Sequence, residues 1–250
     1  MAESANTLFH FTDISALEGI LQNGFFPKYH KENLSVATPR VSKFKNSYVP
    51  MVCFCDLPLS RIRQHIEFYG EYGIGMRKEG WGIEWGISPI IYLPEASKSS
   101  IHFQNIAVEI GKKLKEPVDR KAIRIQLRNF YKYIKPYKGE AWHKRKKKNV
   151  PVTFYHEREW RYVPEKFEVI GEGNVNSKLI QFENKKMEEK EHRLRFGIHD
   201  IKYIVVRTES EIKKFADFIH TNLNAVFPNS DERNLLVSKL ISAQQIKEDM

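Results

Sequence analysis

Glu157-Arg158-Glu159-Trp160-Arg161 places charged side chains at every second position. On a strand, Glu157, Glu159 and Arg161 would project from one face and Trp160 and Tyr162 from the other. Two carboxylates so spaced can grip a sugar hydroxyl and stabilise positive charge developing at an anomeric carbon. Arg161 would keep at least one of them ionised. The same alternation also fits an exposed strand held by ordinary cross-strand pairs. A second group is His10-Phe11-Thr12, at the end of the first apolar run. His10 and Thr12 point to one side there, and an imidazole can hold a ribose hydroxyl. A satisfied core histidine is the plainer alternative. Tyr69-Gly-Glu-Tyr72-Gly-Ile-Gly can set an aromatic ring against a planar ligand. Cys53 and Cys55 share a strand face, but zinc would need two further ligands and only His65 is near in sequence, so no metal site is expected. No G-x-x-x-x-G-K-[ST] loop occurs, which removes support for a kinase or NTPase.

These residues need elements to position them. Leu8–Phe11 reads as a strand, and Thr12 or Asp13 can cap a helix over Ile14, Leu17, Ile20 and Leu21 that stops at Asn23-Gly24. Residues 27–50, with three prolines, read as a long loop. Met51–Cys55 is a buried strand candidate, followed by a helix from Leu59 to about Tyr69 after Pro58. The glycines of 70–86 mark a loop that bends sharply or approaches a ligand, and Ile87–Leu93 is another strand. Residues 101–134 carry a helical pattern that Glu116-Pro117 breaks in two. Glu157–Val163 and Lys202–Val206 read as strands, 209–222 as a helix, and 230–250 as a terminal helix and tail. Strands outside a helical insertion predict an α+β domain over residues 1–250, with 100–148 as a basic helical insertion.

Composition narrows the function. The 250 residues carry a formal charge of +10. Residues 100–148 hold 15 basic and 4 acidic side chains, a net of +11, so the whole excess lies there. It peaks at Lys144, Arg145, Lys146, Lys147 and Lys148, just after Tyr131, Tyr133, Tyr137 and Trp142. Clustered cations with interleaved aromatics suit phosphates and unpaired bases. They would equally suit an acidic protein partner or a solvated loop. No apolar run approaches the ~20 residues of a membrane span. The N-terminus lacks the pattern of a secretory signal, and two cysteines make no disulfide framework, so a cytoplasmic protein is expected.

The order Leu8-Phe-His-Phe-Thr12, Leu17-x-x-Ile-Leu-x-x-Gly24, Pro50-Met-Val-Cys-Phe-Cys-Asp-Leu-Pro-Leu-Ser60, His65-x-x-x-Tyr69-Gly-x-Tyr-Gly-Ile-Gly-Met76-x-Lys78, Glu157-x-Glu159-Trp-Arg161 and Ile201-x-Tyr-Ile-Val-Val206 resembles the AbiGi family of bacterial abortive-infection proteins. It covers most of residues 8–206. His-x-Thr before a helix ending in Gly, with a late Glu on a strand, also resembles DarT-type ADP-ribosyltransferases, which move ADP-ribose from NAD onto nucleic acid bases. That resemblance implies a split mixed β-sheet core and NAD as co-substrate. Glu159 would be the catalytic glutamate, with Glu157 its rival. His10 would hold a ribose, with Thr12 beside the adenine and Phe11 also in the cofactor site, and Tyr69 or Tyr72 would stack on the nicotinamide. Arg40 or Arg61 would meet the pyrophosphate. Asp56 stands about where a Ser-Thr-Ser strand is expected. The implied function is an antiphage toxin modifying single-stranded nucleic acid, RNA ahead of DNA, restrained by a cognate antitoxin protein. A non-catalytic antitoxin or nucleic-acid-binding regulator on a degenerate transferase fold, and an NAD glycohydrolase, are the alternatives. The enzymatic reading requires His10, Glu159 and a tyrosine to meet in one pocket.

Overall fold

The computed structural model describes residues 5–38, 45–113, 116–143, 146–165 and 167–249. The chain runs β1 (Thr7–Thr12), α1 (Ile14–Asn23), β2 (Lys28–Asn33), β3 (Asn46–Cys55), α2 (Arg63–Tyr69), β4 (Tyr72–Arg77), β5 (Ser88–Pro89), β6 (Ile91–Leu93), α3 (Lys98–Lys113) and α4 (Pro117–Tyr131). It continues with β7 (Ile134–Pro136), β8 (Gly139–His143), β9 (Lys148–Val152), β10 (Glu159–Tyr162), β11 (Ile170–Gly171), α5 (Ser177–Met187), β12 (Ile201–Val206), α6 (Ser210–Asn222), α7 (Ser230–Val237), β13 (Leu240–Ser242) and α8 (Ala243–Asp249). This is an α+β fold.

The main sheet runs β13-β12-β4-β1-β3-β10-β5, with β2 and β11 alongside the first half of β3. It is mixed: β12 and β13 are parallel, and the other pairs are antiparallel. β1 pairs with β4 along its whole length, from Thr7↔Arg77 to Thr12↔Tyr72. Against β3 it pairs only at Phe9↔Cys55, so the two central strands part beyond that point.

Alternation along the strands feeds two apolar layers. On one face Leu8, Phe54, Ile74, Met76, Ile204 and Val206 pack under α1 and α6. On the other, Phe9, Phe11, Cys55 and Val205 pack under α2 and α8. A third cluster joins Val49, Met51, Leu93, Tyr131 and Ile134, where β3 meets the end of α4.

Several local expectations change. The long loop over 27–50 contains β2 and the start of β3, whose side chains from Ser47 onward are largely buried. β2, Lys-Tyr-His-Lys-Glu-Asn, buries only Tyr29 fully, which hides its period. Of the glycines read as a ligand-approaching loop, Gly73 and Gly75 lie in β4, where a Cβ at Gly73 would stand 2.8 Å from the Phe11 ring and one at Gly75 2.8 Å from the Phe9 ring; Gly70 ends α2, and Gly80, Gly82 and Gly86 lie in the turns after β4. Gly73 and Gly75 make room for core aromatics. Segment 100–148 is not wholly helical: α3 and α4 break at Pro117 as expected, but β7 and the β8–β9 hairpin follow. The terminal segment holds two helices with β13 between them. Only Glu159–Tyr162 of the expected 157–163 strand is a strand. Phe154–Glu157 forms a 3-10 turn, and Arg158 is left-handed, at φ 44° and ψ 50°.

Candidate functional site

The left-handed residue shapes the site. Such a backbone costs a non-glycine residue about 1–2 kcal/mol, so surrounding contacts must hold it. One is the Asp56 N–H, which donates to the Arg158 carbonyl at 3.0 Å. The kink lets Glu157, ahead of the strand, and Glu159, its first residue, converge on one cation. Lys135 Nζ lies 2.9 Å from Glu157 Oε2 and 2.9 Å from Glu159 Oε2. It also lies 4.4 Å from the Phe154 ring centre. β7 delivers it, its register fixed by Ile91↔Ile134 and Tyr92↔Lys135.

Arg161 closes the other side. Its Nε donates to Glu159 Oε1 at 2.5 Å and its Nη2 to Glu32 Oε2 at 2.9 Å. Its Nη1 donates to the Lys132 carbonyl at 2.8 Å. Arg161 is fully buried, and Glu157 and Glu159 are buried too. The Tyr69 hydroxyl donates to Glu157 Oε1 at 2.5 Å, and the Glu159 N–H donates to the Tyr92 hydroxyl at 2.9 Å.

The two carboxylates are pushed apart in acidity. Burial works against charge on Glu159, yet Arg161 and Lys135 hold its carboxyl well below the usual range. Burial also raises Glu157, and with Lys135 opposing and Glu159 reinforcing, its proton affinity stays above the ordinary value. Burial lowers the proton affinity of Lys135, but the surrounding carboxylates outweigh it and keep the ammonium charged. His65 packs 4.4 Å from the Tyr69 ring, and burial drives its pKa down to about 3, so it is neutral at pH 7. Burial pushes the Tyr69 hydroxyl up, as it does the thiols of Cys53 and Cys55. A carboxylate held ionised beside one with raised proton affinity is a pairing that can divide base and acid roles.

Of the residues singled out in the sequence, Glu157, Glu159 and Tyr69 meet here. Asp56, Arg61 and Glu159 line a cavity of about 980 Å³ where β3 ends and β10 begins. Asp56 is already paired with Lys78 at 3.2 Å. His10 does not join them. Its ring packs 5.5 Å from Phe25 and 5.8 Å from Phe54, in the α1 layer, and its Nδ1–H donates to the Cys53 carbonyl at 2.8 Å. Glu159 stands opposite Cys55, in the α2 layer with Phe9 and Phe11. His10 and Thr12 do not line the cavity, and Phe11 is core. Tyr72 turns away and donates to Glu211 of α6 at 2.9 Å. Trp142 is 59% exposed on β8, Lys146 and Lys147 form the hairpin turn, and Lys148 begins β9. Arg40, Lys144 and Arg145 lie outside the described residues.

Sequence reasoning missed Lys135, Glu32, Tyr92 and Arg158. Glu32 sat in the presumed loop, and Lys135 in a stretch read as excess surface charge. A buried arginine at 161 was the available signal, since such a guanidinium requires several acceptors.

A family model described as "Putative abortive phage resistance protein AbiGi, antitoxin" matches residues 23–207. The chain belongs to the AbiGi family. It is also 30% identical to "Abortive phage resistance protein AbiGi" of Lactococcus lactis subsp. cremoris over 254 residues, covering 90% of this chain and 99% of that protein. No solved structure matches. The family match takes in Glu32, Lys135, Glu157, Glu159 and Arg161 and begins after His10. Among the described residues, no helix is long and apolar enough to cross a membrane.

Proposed function

We propose that this chain is the antitoxin of an abortive phage defence pair, a protein that restrains a toxic partner by binding it. The observation that carries the reading is the state of Glu159. Both its oxygens are held, one by Arg161 and the other by Lys135 and Arg161. A carboxylate tied in this way fits a scaffold role. The family description as a putative antitoxin supports the same role. The toxin is the binding partner, and the cytoplasm of the infected cell is where restraint is needed. The test is expression with and without the toxin encoded beside the gene. Harmless expression alone, and rescue of growth when the toxin is present, are expected. Toxicity of the chain by itself that disappears in Glu159→Gln would refute the reading.

A second reading keeps the enzyme: an ADP-ribosyltransferase on NAD with single-stranded nucleic acid, RNA first, as acceptor. What favours it is the meeting of Glu157, Glu159 and Tyr69 around Lys135, beside a sheet whose β1 and β3 part after one residue pair. Lys146–Lys148 and Trp142 would then dock the acceptor. Labelled NAD incubated with RNA, DNA and protein separates the cases. Transfer to RNA supports the transferase, and nicotinamide release without an acceptor would mark a glycohydrolase. Intact NAD in every mixture sinks both.

A further inference from the structure

The cavity at the end of β3 and the start of β10 has a character of its own. Its volume, about 980 Å³, lies at the upper end of the roughly 300–1,000 Å³ common for small-molecule sites. Arg61, Arg63 and Arg158 lie on its wall, with Tyr92, Tyr155 and Trp160. Its acids are internally balanced: Asp56 by Lys78, and Glu159 by Arg161 and Lys135. Arg63 shares Glu67 at 3.4 Å in an exposed pair. None of the ion pairs among the described residues engages Arg61 or Arg158. The cavity therefore presents surplus guanidinium to whatever enters.

Its aromatic side is built as well. Tyr155 stacks on Tyr137 at 5.4 Å between ring centres and meets Tyr92 edge-on at 5.5 Å, yet remains 53% exposed. Lys78 sits 5.4 Å from the Trp160 ring centre, anchoring that side chain to the buried Asp56 pair. Guanidinium suits phosphate through paired N–H donors, and an exposed ring such as that of Tyr155, backed by the partly buried Tyr92, suits a base.

We propose that this cavity binds a nucleoside phosphate, with Arg61 and Arg158 on the phosphate and Tyr92 and Tyr155 against the base. The ligand is either a free nucleotide or the terminal nucleotide of a single strand; both offer the same chemistry. The inference goes beyond toxin restraint and does not depend on it, because binding and growth rescue are read in separate assays.

Calorimetric titration of the full chain with AMP, a short single-stranded oligoribonucleotide, inorganic phosphate and an acidic peptide tests it. AMP or the oligonucleotide is expected to bind, and which of them binds more tightly identifies the source. Arg158→Gly suits the left-handed backbone and keeps the fold while removing the cation. It should weaken binding at least about tenfold, and so should the exposed Arg61→Gln. No binding of AMP or oligonucleotide at millimolar concentration overturns the proposal. So does unchanged affinity in both variants, or phosphate binding as tightly as AMP. Capture of the acidic peptide without either nucleotide ligand assigns the arginines to a protein partner and overturns it too.

Discussion

Lys135 and Lys146–Lys148 come from the same basic stretch and end in opposite environments. Lys135 is enclosed by two carboxylates and an aromatic ring. Lys146 to Lys148 ride the exposed end of a two-stranded hairpin beside Trp142. Net charge counts both alike, but their energetics differ. The buried lysine exists only because Glu157 and Glu159 compensate its desolvation, and each carboxylate depends on it in turn. The exposed lysines are solvated and have no desolvation to offset, although Lys147 sits in the left-handed region at φ 51°. A charge excess thus says where a polyanion can land and nothing about where chemistry is assembled.

The sharpest way to break this contrast is Arg161→Met. It keeps most of the volume but leaves the buried Glu159 and the partly buried Glu32 without their guanidinium. Loss of about 3–5 kcal/mol is expected from denaturant unfolding. A loss under about 1 kcal/mol would mean that the cluster is hydrated and the distinction between the two regions false.

Next in size is the pH dependence set by His65. Burial lowers its folded pKa to about 3 against an unfolded value near 6.5. Above pH 6.5 the imidazole is neutral in both states. As pH falls below that, the unfolded chain takes up the proton and the folded one does not. Its contribution is therefore present above pH 6.5 and lost as pH falls toward 3, on the order of 3 kcal/mol by pH 4. Glu159, also depressed, adds loss on the acid side below its unfolded pKa of about 4.3, whereas raised Glu157 opposes it there. In His65→Asn, stability measured between pH 6.5 and 4.5 should be much flatter than in the wild type. An unchanged slope would show that the imidazole is solvated.

The same contrast explains what the sequence disclosed. The apolar strands β1 and β12, helices α1 and α6 and the break at Pro117 were legible because their periods are carried by buried side chains. β2 was not, since a charged edge strand with one fully buried residue shows no period. The grouping of Glu157 and Glu159 was foreseen from strand alternation, yet it arises from a turn and a left-handed Arg158. Convergence of His10 with Glu159 failed because neighbouring residues on β1 feed different layers. Lys135 could not be placed, because only the pairing of β7 with β6 brings it inward.

The smallest expected effect lies at the hairpin. Lys146→Ala with Lys148→Ala removes two exposed cations and no buried contact. Unfolding free energy should shift by less than about 0.5 kcal/mol. Single-stranded nucleic acid affinity, if the hairpin docks a strand, should fall with a shallower dependence on salt, since each neutralised phosphate releases counterions. Both readouts come from one double variant: a stability loss above about 1 kcal/mol would show that these lysines are structural partners like Lys135, and unchanged affinity and salt slope would leave the hairpin as solvated surface.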